Sequence, residues 1–295
     1  MNLNWKSIAH HISTVTGTSF SIHKQRSIGG GCINSAFAIQ DHNEVYFVKL
    51  NDAASIDMFA TESAGLEEIA RSGAIRVPHP VCYGVTESTA YIVLEFIAAG
   101  NVQRDTYVSF GHQLANMHRV THQYFGWQIN NTIGSTPQIN TVSDDWINFW
   151  RDRRLGHQLE LAARNGFNGD LQRRGDQLLQ QFPVFFTDYV PTPSLLHGDL
   201  WSGNYAIDPD GHPYIFDPAV YYGDRETDIA MTELFGGFPP DFYRAYNDTC
   251  PLDNGYATRK KLYNLYHILN HLNIFGAAYL VQTMQMIDSL LSEVG

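Results

Sequence analysis

The stretch Leu195–Asp217, reading LLHGDLWSGNYAIDPDGHPYIFD, constrains this chain more than any other. Leu195 and Leu196 close a short apolar run; His197, Gly198 and Asp199 follow, and Asn204 comes five residues after the Asp. Tyr205-Ala206-Ile207 reads as a strand, Asp208-Pro209-Asp210-Gly211 as a turn, and Tyr214-Ile215-Phe216 as a second strand that delivers Asp217. Folding the second strand back on the first is expected to bring Asp199, Asn204 and Asp217 together. An acidic surface hairpin would use the same turn formers, so the rest of the chain must decide between a site and a solvated turn.

The trio suits phosphoryl transfer. Chemistry on a nucleotide γ-phosphate uses Mg²⁺ to offset charge, and Mg²⁺ takes hard oxygen ligands. Asn204 and Asp217 can supply an amide oxygen and a carboxylate, leaving Asp199 to orient an acceptor hydroxyl and take its proton. The H-x-D-x-x-x-x-N spacing followed by a strand-borne Asp is the catalytic signature of the protein-kinase-like fold.

The first hundred residues supply the complement. Val45-Tyr46-Phe47-Val48-Lys49-Leu50 alternates as a strand and places Lys49 among apolar neighbours, where an ammonium needs a partner. The helical pattern Ile56–Ser72 offers Glu62 on the side of Phe59, Leu66 and Ile69, while Glu67 and Glu68 fall on other faces. A strand Lys paired to a helix Glu against the nucleotide phosphates is the other half of that signature; the bland reading is a surface Lys on an edge strand. Upstream, Gly29-Gly30-Gly31-Cys32 joins two strand-like runs and could lay backbone N–H groups on phosphates. The spacing matches neither common phosphate loop, and a plain glycine hairpin is an equal reading. Tyr91–Ile97 is a buried-looking strand ending in Ala98-Ala99-Gly100, so main chain at Glu95, Phe96 and Ile97 is placed to bond a nucleotide base.

Beyond residue 97 the pattern turns helical, over Tyr107–His118, Asp144–Ala163, Leu171–Phe182 and Arg259–Leu280. The last carries Tyr266, His267 and Asn270 on a polar-aromatic face that walls a sugar site or merely faces solvent. His118 reads as a packed core histidine. Only a handful of residues separate Asp217 from a helix beginning near Asp224, and Gly198 stands where protein kinases carry an Arg. Both departures favour a small acceptor and an enzyme that needs no switching. Asp228 is expected to bond backbone donors of the catalytic loop, with a helix cap by Asp224 or Thr227 as the competing role.

Charge and cysteine usage exclude other classes. A net charge of −11 argues against nucleic acid or an anionic membrane as a partner, since both demand a basic face. Cys32, Cys82 and Cys250 show no metal-ligand spacing, which suits free thiols in a reducing, cytoplasmic setting. The N-terminal MNLNWKSIAHHIS lacks an apolar core of signal-peptide length, and Asn270, His271 and Asn273 interrupt the most apolar helix.

With these residues on the page, the chain resembles the fructosamine kinase (ketosamine-3-kinase) family, relatives of aminoglycoside phosphotransferases and choline kinases. The resemblance runs from Gly29-Gly30-Gly31-Cys32-Ile33, Phe47-Val48-Lys49, Met58-Phe59 and Gly65-Leu66 through Phe125-Gly126, Ile133–Gln138, Asp145-Trp146, Arg154-Leu155 and Gln158. Its strongest parts are His197–Asn204, Asp217-Pro218-Ala219 and Tyr222–Glu226, with a mild departure at Thr227-Asp228. It implies an ATP- and Mg²⁺-dependent kinase of the sugar O3′ hydroxyl of ketosamines, free or on a glycated protein. The phosphorylated adduct then falls apart and frees the amine. Carried onto this chain, Lys49 and Glu62 hold the phosphates, Asp199 is the base, Asn204 and Asp217 bind Mg²⁺, and Trp201 borders the sugar, with Asp224 a further acceptor-side candidate. Cys32 becomes a redox candidate beside the glycine loop, or an inert small residue.

The architecture expected is α+β: a bilobal protein-kinase-like fold with a small antiparallel β-sheet lobe carrying a helix (residues 1–97) and a larger, mainly helical lobe (98–295). A kinase for another hydroxylated amine, aminoglycoside or choline in type, is the alternative function. Monomer and dimer are both compatible with the sequence.

Overall fold

Asn4 caps the first helix: its side chain accepts from the backbone N–H of Ser7 at 3.2 Å, and helix α1 runs Trp5–Thr16 to a left-handed Gly17. The computed structural model that shows this describes residues 4–29 and 33–294. The chain forms two units, Met1–Gln103 with Ala206–Pro218, and Arg104–Tyr205 with Ala219–Gly295.

In the first unit the strands are β1 (Lys24–Ile28), β2 (Ser35–Gln40), β3 (Val45–Asp52), β4 (Pro80–Thr86) and β5 (Thr89–Glu95). They form one antiparallel sheet in the order β1-β2-β3-β5-β4. Helix α2, Ile56–Ser72, sits between β3 and β4 in sequence, with the bounds its periodicity predicts. Alternation along β3 splits its side chains. Val48 and Leu50 join Ile8 and Ile12 of α1, Ile39, Tyr91 and Val93 in a buried apolar cluster, whereas Lys49 takes the opposite face. Cys82 lies in that cluster, where burial pushes its thiol up to about 12, so it packs as a small hydrophobe.

In the second unit the chain runs through α3 (Thr106–His118), the short pair β6 (Asn131–Ile133) and β7 (Thr136–Gln138), α4 (Trp146–Trp150), α5 (His157–Arg164), α6 (Asp170–Gln181) and β8 (Ser194–Leu196). The uninterrupted helix expected over 144–163 is instead broken by a wider π turn at Arg151–Gly156 between α4 and α5. That turn carries Arg154 inward, where it is fully buried.

Strands β9 (Tyr205–Ile207) and β10 (Pro213–Ile215) pair as the predicted hairpin, and residues 206–218 belong to the first unit. Arg76 ties the hairpin in: its guanidinium donates to Asp208 at 2.7 Å and Glu95 at 2.8 Å, and its carbonyl accepts from Ile215 N–H. Gly100 donates its N–H to Ile207 O at 2.8 Å, and a Cβ there would lie 1.9 Å from Asp208 O, so only glycine fits.

The second unit is completed by β11 (Tyr221–Gly223), paired antiparallel with β8, and by α7 (Glu226–Leu234), α8 (Pro240–Thr249), α9 (Tyr256–Phe275) and α10 (Leu280–Glu293). The helix expected to continue to Leu280 stops at Phe275, because Gly276 takes a φ of 82° and turns the chain into α10. Among the described residues, no helix is long and apolar enough to cross a membrane.

Candidate active site

The pairing expected for Lys49 is present. Lys49 is 5% exposed, and its Nζ donates to Glu62 Oε1 at 2.6 Å and to Asp217 Oδ1. Register explains its position: Lys49 stands opposite Ala36 on β2 and Ile92 on β5, so small and apolar neighbours flank it. Burial would weaken the ammonium, but the charges of Asp217 and Glu62 outweigh it, and its pKa lies above the ordinary value. The rival carboxylates are elsewhere, Glu68 bonded to Arg71 and Glu67 exposed.

Asp217 is one of two non-glycine residues with positive φ among the described residues, at 58°. Asp tolerates the left-handed region better than most residues, at a cost of about 1–3 kcal/mol that the surroundings must offset. Its side chain remains 41% exposed although it touches the buried Lys49. A half-open carboxylate beside a fixed ammonium is chemically suited to a divalent cation and a phosphate.

Gly29 is exposed, while Gly30, Gly31 and Cys32 lie outside the described residues. At the end of β5 the Glu95 N–H donates to His79 O at 2.8 Å, and the Glu95 carboxylate accepts from Arg76 and from His79 N–H. Phe96 and Ile97 leave the sheet half-buried.

In the second unit, β8 runs directly into His197-Gly198-Asp199. Asp228, on the first turn of α7, accepts from the His197 N–H at 2.7 Å and the Gly198 N–H at 2.9 Å, the role the sequence assigned to it. His118 Nε2 lies 3.2 Å from the same carboxylate, and His118 Nδ1 meets the Tyr246 hydroxyl at 2.8 Å. Burial alone would raise the Asp228 carboxyl, but the hydrogen bonds from His118 and the Gly198 N–H hold it below the usual range. Replacing Asp228 with alanine strands two buried N–H donors and a buried histidine. Each orphaned group costs roughly 1–3 kcal/mol, so the expected loss of stability is about 3 kcal/mol or more in urea unfolding. A loss under about 1 kcal/mol would mean that other acceptors take over the loop.

Gly198 has a φ of 84°, and a Cβ there would sit 2.1 Å from Ala219 O. That contact is why glycine stands where protein kinases place an Arg. Asn204 donates Nδ2 to Asp199 O at 2.9 Å and Asp199 Oδ2 at 3.2 Å, which turns its Oδ1, the atom a cation takes, away from Asp199.

An amide cluster that motif reasoning left without a role holds the segment after Pro218. Gln138 Nε2 donates to Ala219 O at 3.1 Å and to Asn131 Oδ1 at 2.9 Å, and Asn131 Nδ2 donates to Val220 O at 2.8 Å. Asn140 Nδ2 also donates to Asn131 Oδ1, and Arg154 Nη2 donates to Asn140 Oδ1 at 2.7 Å, with its guanidinium 4.3 Å from the Tyr221 ring. The density of amides over Asn130, Asn131, Gln138 and Asn140 was the available signal, since a buried amide must be bonded.

The remaining acceptor-side candidates separate by exposure. Trp201 is 37% exposed on the turn after Asp199. Tyr266, His267 and Asn270 are buried in α9: Tyr266 donates to Gln138 Oε1 at 2.8 Å, and Asn270 bonds Gln158 and Ile133 O. Burial, with His271 nearby, drives His267 down to about 3, so its ring is neutral at pH 7. Asp224 is fully buried, accepts from Tyr263 at 2.5 Å and Tyr189 at 2.9 Å, and also caps the N–H of Glu226.

A β-sheet unit presenting a Lys–Glu pair and a helical unit presenting an H-G-D-x-x-x-x-N loop define a kinase of the protein-kinase-like class. Choline kinase LicA of Streptococcus pneumoniae shares that fold, with a TM-score of 0.65 at 14% identity over 98% of this chain and 99% of its own. The chain belongs to the fructosamine kinase family, whose sequence model matches residues 4–293. A Synechocystis protein named a probable ketoamine kinase is 47% identical over 97% of each chain. The chloroplastic protein-ribulosamine 3-kinase of Arabidopsis thaliana is 44% identical, covering 93% of this chain and 85% of its own. A crystal structure from Haemophilus somnus, carrying a provisional fructosamine-3-kinase name, superposes with a TM-score of 0.90 at 29% identity, covering 97% of each chain.

Proposed function

We propose that this enzyme transfers the γ-phosphoryl group of ATP to the sugar 3-hydroxyl of ketosamines, leading to release of the amine. The observation that carries the reading is the buried Lys49 ammonium bonded to both Glu62 and Asp217, within a chain 47% identical to a protein named a probable ketoamine kinase. Lys49, kept in place by Glu62, holds nucleotide phosphate oxygens, with Gly29, Gly30 and Gly31 as the backbone cradle. Main chain at Glu95, Phe96 and Ile97 receives the base. Asn204 and Asp217 hold Mg²⁺, which supplies charge neutralisation on the phosphates. Asp199 accepts the hydroxyl proton as the sugar oxygen forms its bond to phosphorus and the bond to the ADP oxygen breaks. Trp201 borders the sugar. The free Cys82 and Cys250 suit a reducing, cytoplasmic setting.

The test is a coupled assay of ADP formation against a panel of fructosamines and ribulosamines, with an aminoglycoside and choline as controls. Turnover with ketosamines and none with the controls is expected. Turnover confined to the controls would overturn the reading.

A further inference from the structure

The helical unit carries a row of rings that begins beside the catalytic loop and ends in solvent. Trp201 meets Phe235 edge-on at 5.9 Å, Phe235 meets His271 at 5.2 Å, and His271 meets Phe275 at 5.4 Å and Tyr279 at 5.1 Å. These rings come from the turn after Asp199, the end of α7, the end of α9 and the turn before α10. The row is not core: Trp201 is 37% and Phe275 51% exposed.

Both ends are held in place. A Cβ on Gly203 would fall 2.3 Å from the Trp201 ring, so the indole is packed down on that glycine. The left-handed Gly276 turns the chain so that Tyr279 comes back onto His271. His271 Nδ1 is 2.7 Å from His267 O, and burial lowers its pKa, so the row is uncharged at pH 7.

We propose that this row docks the polypeptide carrying the adduct, making a lysine-borne ketosamine in an extended segment a better acceptor than the free amino-acid adduct. The proposal rests on the functional reading above, which puts the sugar next to Trp201. An amine substituent leaving that sugar meets the row at its first ring. A free amino acid covers about one ring step, whereas an extended peptide advances about 3.4 Å per residue and needs four or five residues to cover three. Charge agrees, since a chain of net charge −11 suits a lysine-bearing segment. A second copy is the poorer occupant. Rings of about 150–250 Å² exposed to this extent offer roughly 200 Å², against about 800 Å² per partner in a stable interface.

The experiment compares kcat/KM for a seven-residue peptide whose central lysine carries the ketosamine sugar turned over best in the panel above (fructosyl or ribulosyl) against the same adduct of free lysine, in the full-length enzyme and in Phe275→Ala and Phe275→Tyr. The wild type should favour the peptide. Phe275→Ala should lower the peptide-to-free ratio about tenfold, the size of a buried interface anchor, and Phe275→Tyr should restore it. Equal loss on both acceptors, an unchanged ratio, or no peptide preference in the wild type overturns the docking row and leaves the kinase reading intact. So does a dimer that Phe275→Ala dissociates without changing the ratio. Failure of the wild type on both acceptors would remove the functional reading and the docking row together.

Discussion

Asp199→Ala is expected to lower kcat by about 10²–10⁴-fold, the usual range for losing a general base. The side chain is half-buried, with one carboxylate oxygen bonded to Asn204 Nδ2 and its own N–H bonded to His197 Nδ1 at 3.2 Å. Those bonds fix its orientation, so removing the carboxylate takes away a positioned acceptor and little packing. The fold should survive, because the loop is suspended from Asp228 through the His197 and Gly198 amides and not from Asp199. Single-turnover kinetics with saturating MgATP would read the chemical step directly. A fall of less than tenfold in a folded variant would remove Asp199 as the base.

Asp217→Asn is expected to abolish Mg²⁺-dependent nucleotide binding, weakening it by more than about 100-fold. Even outer-shell partners of a metal are worth roughly 10–100-fold in affinity, and a lost carboxylate ligand should exceed that. Asparagine is the informative replacement, since it also tolerates the left-handed φ of 58° that alanine would resist. It also keeps a neutral acceptor for Lys49, whose ammonium then retains the Glu62 carboxylate. Isothermal titration with ATP, with and without Mg²⁺, separates the two effects. Nucleotide binding without the metal should persist at a weaker level through Lys49. Unchanged MgATP binding would remove Asp217 from the metal site.

The sequence was most informative where function depends on short spacing. The five-residue step from Asp199 to Asn204 becomes one turn with direct side-chain contact. Helix α2 presents Glu62 because Phe59, Leu66 and Ile69 share its buried face. It was least informative at helix ends and interruptions. The π turn at Arg151–Gly156 and the stop at Gly276 both change which side chains face inward, and periodicity alone carries neither. The polar-aromatic face of α9 shows the same effect. Tyr266, His267 and Asn270 carry the composition of a sugar wall, yet they are buried in internal bonds, and only the next turn, at His271, reaches the surface row.

By itself the sequence determined that the chain belongs with kinases and that Lys49 pairs with Glu62. Spacing over a few residues, set by strand and helix geometry, is enough for that. Tertiary structure decided the supports. Asp228 reaches the loop amides across 31 residues, His118 reaches Asp228 across 110, and Asp217 reaches Lys49 across 168. Gly198 is compelled by a carbonyl 21 positions away at Ala219, and the amides of Asn131 and Gln138 find their acceptors at Val220 and Ala219. Contacts at such separations depend on how whole elements pack, and a buried donor or acceptor is satisfied by whatever the packing brings to it.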